Sequence, residues 1–288
     1  MFAVIGTVPE EDFPLLYGEV RLEEGTLRLK DHTVAVQRGT PALIAAAVKV
    51  AETLGVTGPL VFLVGDIGRG EGSRRLYAFL SENLKTSSFD LLTFHYLMPD
   101  VDWHNRVLFA VEEMHPRPLL VADAGFMYAA KMSGQAAAYD LFTPDLGELA
   151  FLADEEAPHP FYTRGFILHE ENRIPDLVAR AYAHRNAAPN LLVKGVKDHI
   201  VIGGEIRTVI DRPLEEAMEA IGGTGDTLTG IVSALLATGL DMEKAAVWAA
   251  RINRLAGQYA RPNPATPILE IIQHLPRAVK AVVQEEKG

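Results

Sequence analysis

Residues Glu219–Leu240 read EAIGGTGDTLTGIVSALLATGL. Gly222, Gly223, Thr224 and Gly225 precede a single carboxylate, Asp226, and an apolar helical pattern follows. Glycines let the backbone turn tightly and let several N–H groups converge. At a helix N-terminus those N–H groups have no internal partner, and the helix dipole favours an anion there. The stretch therefore reads as an anion hole. A carboxylate beside a bound anion is repelled unless it has a task, such as taking a proton from a hydroxyl about to attack phosphorus. The plainer reading is an Asp capping a helix after a flexible loop. No lysine stands where GxxxxGK[ST] requires one, so this is not a P-loop. Phosphate charge would be met by N–H groups, a metal or a distant lysine. Lys194 in LLVKGVKDH ends a predicted strand, where α/β sheets present ligand groups, though a surface lysine at a turn is the alternative.

Working outward, the segment before this helix alternates strands and helices. PALIAAAVKVAETLG is a helix with Thr40 as cap, Pro41 at its first position and Gly55 as stop. PLVFLVG, DLLTFHYL, PLLVADAG, YDLFTP and NLLVKG read as strands. GSRRLYAFLSENL, DWHNRVLFAVEEM (capped by Asp102), GFMYAAKMSGQAAA, PDLGELAFLA and IPDLVARAYAHR read as helices. Continuous apolar strands alternating with helices predict a mostly parallel sheet covered on both faces, an α/β fold. HIVIGG and EIRTVI are two further short strands, and the last third is helical. The stretch EEAPHPFYTRG after Asp154 reads as a surface insertion or lid. Residues 1–38 read as β hairpins, one turning at Glu23, Glu24 and Gly25, and form an N-terminal extension packed on a main domain at 39–288.

The chain has 288 residues, a net charge of -11 and no cysteine. The charge argues against nucleic-acid and anionic-membrane partners. Disulfides and thiolate metal sites are impossible, which suits a reducing cytoplasm. MFAVIGTVPEEDF has no basic region ahead of its apolar residues and does not read as a secretory signal. No apolar run is long enough to span a bilayer.

Taken together, these residues carry a resemblance. GGTGD before an apolar helix resembles the anion hole and base of the ribokinase-like fold. PLLVADAG is similar to a strand ending in a DAD-type motif, FTPDLGELAFL to a TPHxGE helix opening, LLVKG to a VLKG strand, and AAVWAARINRLAG to the penultimate helix of the ADP/ATP-dependent NAD(P)HX dehydratases. That is a carbohydrate-kinase-related branch, and the likeness runs from about Gly39 to the C-terminus. The resemblance implies a three-layer αβα ribokinase-like fold that binds ADP or ATP, Mg2+ and a small-molecule substrate. It implies that Asp226 is the catalytic acid/base, that Gly222, Gly223, Thr224 and Gly225 hold nucleotide phosphate, and that Lys194 and Gly195 contact the nucleotide. Glu148 matches the glutamate that organises phosphate and Mg2+ through water, and Asp123 falls near the substrate pocket. The motif histidine is Asp145 here, which puts two carboxylates, Asp145 and Glu148, three residues apart on one helix face, an arrangement suited to water-mediated metal binding. A threonine before the glycines is replaced by Ile221, and TFHYLMPD stands where the branch carries GPGLG.

Three readings of activity follow: a dehydratase repairing hydrated NAD(P)H, a small-molecule hydroxyl kinase, and a nucleotide-binding protein with little turnover. His95, at the end of its strand, is a candidate for the substrate-pocket wall. The loop GDIGRGEGS does not match GxGxxG and reads as a structural turn or pocket wall rather than a dinucleotide loop. In ribokinase-like folds extra N-terminal strands serve as a lid or subunit contact, so a homo-oligomer through them is an expectation.

Overall fold

The computed structural model describes residues 1–157 and 174–286. Most of the expected insertion EEAPHPFYTRG lies outside the described residues. Among those described, nine strands form one sheet in the order β12-β11-β10-β9-β8-β7-β1-β6-β2. Its parallel body comprises β1 (Phe2–Val8), β6 (Leu60–Gly65), β7 (Leu91–His95), β8 (Leu119–Ala122), β9 (Leu141–Phe142) and β10 (Asn190–Val193). Antiparallel strands close both ends: β11 (Asp198–Ile202) and β12 (Glu205–Ile210) on one side, β2 (Leu16–Glu19) on the other.

Helices cover both faces. On one lie α1 (Thr40–Leu54), α7 (Thr224–Leu236), α8 (Met242–Ala260), α9 (Ile268–Gln273) and α10 (Leu275–Glu285). On the other lie α2 (Glu71–Asn83), α3 (Val101–Glu112), α4 (Ala124–Met132), α5 (Leu146–Ala153) and α6 (Ile174–Ala183). Strand periodicity divides the side chains between the two cores. In β1, Phe2, Val4 and Val8 join the first, while Ala3 and Ile5 join the second. The α/β expectation is met.

The division at residue 38 does not follow the sheet. β1 is a central strand and β2 an edge strand of the main sheet. FAVIGTV is buried throughout, as a run apolar on both faces requires. Only β3 (Arg21–Glu23), β4 (Thr26–Leu29) and β5 (His32–Ala35) form a separate antiparallel sheet, whose Leu27, Leu29 and Val34 join the α1 side core. The predicted hairpin turn at Glu24 and Gly25 is present.

Two helix starts sit elsewhere than expected. Gly39 is the N-cap of α1, and Thr40 is its first helical residue. Asp100 caps α3, its side chain accepting from the Trp103 N–H. The strand predicted over YDLFTP is only Leu141–Phe142, because Pro144 and the cap of α5 follow at once. The glycine loop after β6 is built as a structural turn: its Gly68, Arg69, Gly70 and Ser73 N–H groups all donate to the Asp66 carboxylate. The loop's anion is its own side chain. Among the described residues, no helix is long and apolar enough to cross a membrane.

Candidate active site

The parallel strands point their C-terminal ends at one edge of the sheet, where α/β proteins place ligands. His95 ends β7, Asp123 follows β8, Asp145 and Glu148 follow β9, and Lys194 follows β10. The N-terminus of α7 comes down onto this edge. These groups line one cleft of about 300 Å³, which Gly223, Thr224, Gly225 and Gly195 also line. Residues far apart in sequence thus meet, as in the His95–Asp226 contact across 131 positions.

Gly223 is the N-cap of α7 with φ 105°, a conformation that costs an ordinary L-residue energy. The following N–H groups open the helix and have no partner within it. Gly225 lies beneath Lys194: a Cβ there would stand 3.7 Å from Nζ. A helix N-terminus and an ammonium therefore face the same space, and both favour an anion. Gly222 is exposed beside the Arg38 stem, outside the cleft lining. Ile221 is buried, so this position serves the core.

Asp226 is held at both oxygens. Oδ2 accepts from the Gly39 N–H at 2.7 Å, and Oδ1 lies 3.0 Å from His95 Nε2. Burial pushes its pKa up, but His95, the Lys194 ammonium and the Gly39 N–H outweigh it and hold the carboxyl below its ordinary range. Asp226 is thus an ionised acceptor inside the cleft, in the state a base needs.

Asp123 is only 1% exposed, and its carboxylate is fully occupied. Lys194 Nζ donates to Oδ1 at 2.9 Å and to Oδ2 at 2.8 Å; Thr229 Oγ1 donates to Oδ2 at 2.6 Å, and the Ala124 N–H to Oδ1. Its geometric role is to anchor Lys194. Burial opposes the Lys194 charge, but Asp123, Glu148 and Asp226 hold its pKa above the ordinary lysine value. His95, Asp123 and Asp226 bring ligand atoms within 4.8 Å of one another. The Lys194 ammonium already balances the Asp123 charge, so the cluster reads as a hydrogen-bonded charge network.

Asp145 and Glu148 form a capping box at the start of α5. Asp145 Oδ1 accepts from the Glu148 N–H, and Glu148 Oε2 accepts from the Asp145 N–H, both at 2.8 Å. Glu148 Oε1 also accepts from the Tyr128 hydroxyl. Burial, opposed by Lys194 and supported by the charges of Asp123 and Asp145, pushes the Glu148 pKa up to about 8.

Sequence reasoning missed several members of this cleft. Arg254 on α8 donates through Nε to Asp198 at 2.7 Å and through one terminal nitrogen to the Gly195 and Val196 carbonyls. Asp198 also accepts from the Gly195 N–H. This buried pair pins the turn that carries Lys194. Asn253 accepts from Thr227 Oγ1 and donates to the Thr224 carbonyl, tying α8 to the first turn of α7. In the sequence Arg254 is one basic residue on an amphipathic helix, and no local signal marks its inward direction.

The fold and this constellation define a protein of ribokinase-like fold in which a glycine-rich helix start, Lys194 and the Asp226 carboxylate share one cleft. A carbohydrate-kinase-type family model described as NAD(P)H-hydrate dehydratase matches residues 99–277. The chain belongs to that family, whose members are enzymes of the dehydratase and kinase kind. An uncharacterized protein of Methanocaldococcus jannaschii is 40% identical over 239 residues, covering 83% of this chain and 98% of that protein. A bifunctional NAD(P)H-hydrate repair enzyme of Hyperthermus butylicus is 36% identical over 115 residues, 38% of this chain and 21% of that enzyme. The chain thus matches about a fifth of that relative's length. Among solved structures, an ADP/ATP-dependent NAD(P)H-hydrate dehydratase of Bacillus subtilis, co-crystallized with ATP and Mg2+, superposes with a TM-score of 0.57 at 14% identity, over 98% of this chain and 89% of that one. At that identity the likeness speaks for the fold.

Proposed function

We propose that the chain repairs hydrated NAD(P)H, using ADP or ATP as phosphoryl donor. The observation that carries this reading is the Asp226 carboxylate, held ionised at the mouth of the α7 anion hole beside Lys194. Family membership supports this substrate class.

The residues present fit a phosphate-bearing nucleotide: the α7 N–H groups, the Gly223–Gly225 turn and Lys194 form a positive cradle in an otherwise acidic cleft. Asp145 and Glu148, on the cleft wall, fit a hydrated divalent cation, which neutralises phosphate charge when bound. Asp226 takes the proton of the hydroxyl on the hydrated ring, and that oxygen forms a bond to phosphorus as the bond to the nucleotide's bridging oxygen breaks. The N–H groups of α7 and Lys194 stabilise the charge that develops on the transferring group. The ester C–O bond then breaks, phosphate leaves, the neighbouring ring carbon gives up a proton, and the dihydropyridine double bond is restored.

A hydroxyl kinase performs only the first of these steps. Asp145 in place of the branch's histidine favours that second reading. A protein with little turnover would bind nucleotide and do neither step.

The test is recovery of NADH absorbance from hydrated NADH, with Mg2+ and either ADP or ATP. We expect nucleotide-dependent recovery that falls about 10²–10⁴-fold in Asp226→Asn, the range for loss of a general base, with nucleotide binding retained. Absence of recovery with intact nucleotide binding would replace the dehydratase by a kinase acting on another hydroxyl. Loss of nucleotide binding in a folded Asp226→Asn protein would overturn the role of Asp226 as a base.

A further inference from the structure

His95 is fully buried and bonded at both ring nitrogens. Nε2 lies 3.0 Å from Asp226 Oδ1, and Nδ1 lies 2.9 Å from Thr40 Oγ1. An ionised carboxylate can only accept, so the proton sits on Nε2; in the neutral ring Nδ1 then accepts from the Thr40 hydroxyl. The fold makes room for this arrangement. Gly6 of β1 pairs in register with His95, and a Cβ there would stand 2.5 Å from the His95 carbonyl oxygen and 2.6 Å from Thr40 Oγ1. Thr40 follows Gly39, whose own N–H holds the other oxygen of Asp226. The end of β7 and the start of α1 thus converge on one carboxylate, and Gly6 of β1 leaves them the room.

We propose that His95 is a positioning residue for Asp226: locked by Thr40 in its Nε2–H form, it fixes the plane of the carboxylate and keeps it in the ionised state that accepts the substrate proton. This rests on the proposed function. The charged and titratable groups facing Asp226 are His95 at the end of β7, Tyr96 after it, Asp123 after β8, Glu148 on α5 and Lys194 after β10. Lys194 is shared with Asp123 and Glu148, so much of its charge is already balanced. Remove the His95 donor, and burial acts on Asp226 with its first opposing contact gone.

The test compares the pH dependence of kcat/KM for NADH recovery in wild type, His95→Leu and His95→Gln. The Gln amide nitrogen reaches the place of Nε2 and donates without titrating. Raising the pKa of a base moves the acidic limb of the profile to higher pH. In His95→Leu we expect that limb to rise by at least about one unit, which costs about tenfold in kcat/KM below it. His95→Gln should restore the limb towards its wild-type place. A lower rate in His95→Leu with an unmoved limb would overturn the proposal and leave His95 a packing residue. A second measurement needs no turnover: nitrogen-15 NMR of histidine-labelled protein, with the His95 signals assigned by their loss in His95→Gln. Protonated Nε2 and unprotonated Nδ1, the latter changed in Thr40→Val, support the lock; a proton on Nδ1 alone overturns it. If wild type shows no NADH recovery while the Nε2–H form is present, the dehydratase reading fails and the positioning contact stands.

Discussion

At the residue scale, the cleft separates carboxylates by their partners. Both Asp226 and Glu148 have donors at each oxygen, but His95 and Lys194 hold Asp226 ionised, whereas burial and the charges of Asp123 and Asp145 push the Glu148 pKa up to about 8. The second shift has a consequence for stability. The folded protein holds the Glu148 proton more tightly than the unfolded chain, whose glutamate titrates near 4.5. Whatever Glu148 contributes is present below that value and is lost as pH rises towards 8. Glu148→Gln, which keeps a side-chain acceptor for the capping box, removes the penalty. We expect its melting temperature relative to wild type to rise steadily between pH 5 and pH 8, read by calorimetry at several pH values. A constant difference would mean that Glu148 is ionised throughout.

At the element scale, α7 carries the site because it packs tightly on α1. Gly230 is the close-approach point: a Cβ there would lie 2.1 Å from the Leu43 carbonyl oxygen and 3.2 Å from the Ala46 Cβ. Backbone cannot step aside as a side-chain tip can. Gly230→Ala, which on helix propensity alone would stabilise, should instead cost roughly 1–3 kcal/mol by overpacking, measured by urea unfolding. Because Gly39 and Asp226 sit at the adjoining ends of α1 and α7, the same displacement should weaken turnover. A neutral or stabilising effect would show that the two helices separate easily.

At the scale of the whole molecule, the site depends on a pair remote from the anion hole in sequence. Arg254 and Asp198 are 7% and 4% exposed, and together they clamp the turn after β10 that bears Lys194. Arg254→Met would leave a buried carboxylate and two carbonyls without their donor. Breaking one side of a buried pair costs about 3–5 kcal/mol. Even with Arg254 present, burial holds the Asp198 pKa up at about 6. The loss should therefore be largest above that pH and smaller where Asp198 is protonated. We expect weakened nucleotide binding, read by calorimetric titration, alongside the lower stability. Unchanged binding would show that Lys194 keeps its place without the clamp.

The α/β class, the parallel sheet, the helix cover and the glycine-rich start of α7 were all legible in the sequence. They rest on local periodicity, on glycine at a helix start and on apolar runs, which act through neighbouring residues. Asp226 and the Gly223–Gly225 turn at a helix start, and Lys194 after a strand, stand where local pattern placed them, whereas the roles proposed for them came from the family resemblance. What the tertiary structure alone decided is which groups face one another. FAVIGTV reads as a strand anywhere, but only the packed sheet places it at the centre between β6 and β7. Thr40 reads as a helix cap, yet its hydroxyl turns to His95, 55 residues away. Asp123 reads as a substrate-pocket acid, yet Lys194 occupies it from 71 residues away. A side chain's partner is set by its direction after packing, and linear spacing carries no record of that direction between strands joined only through the sheet.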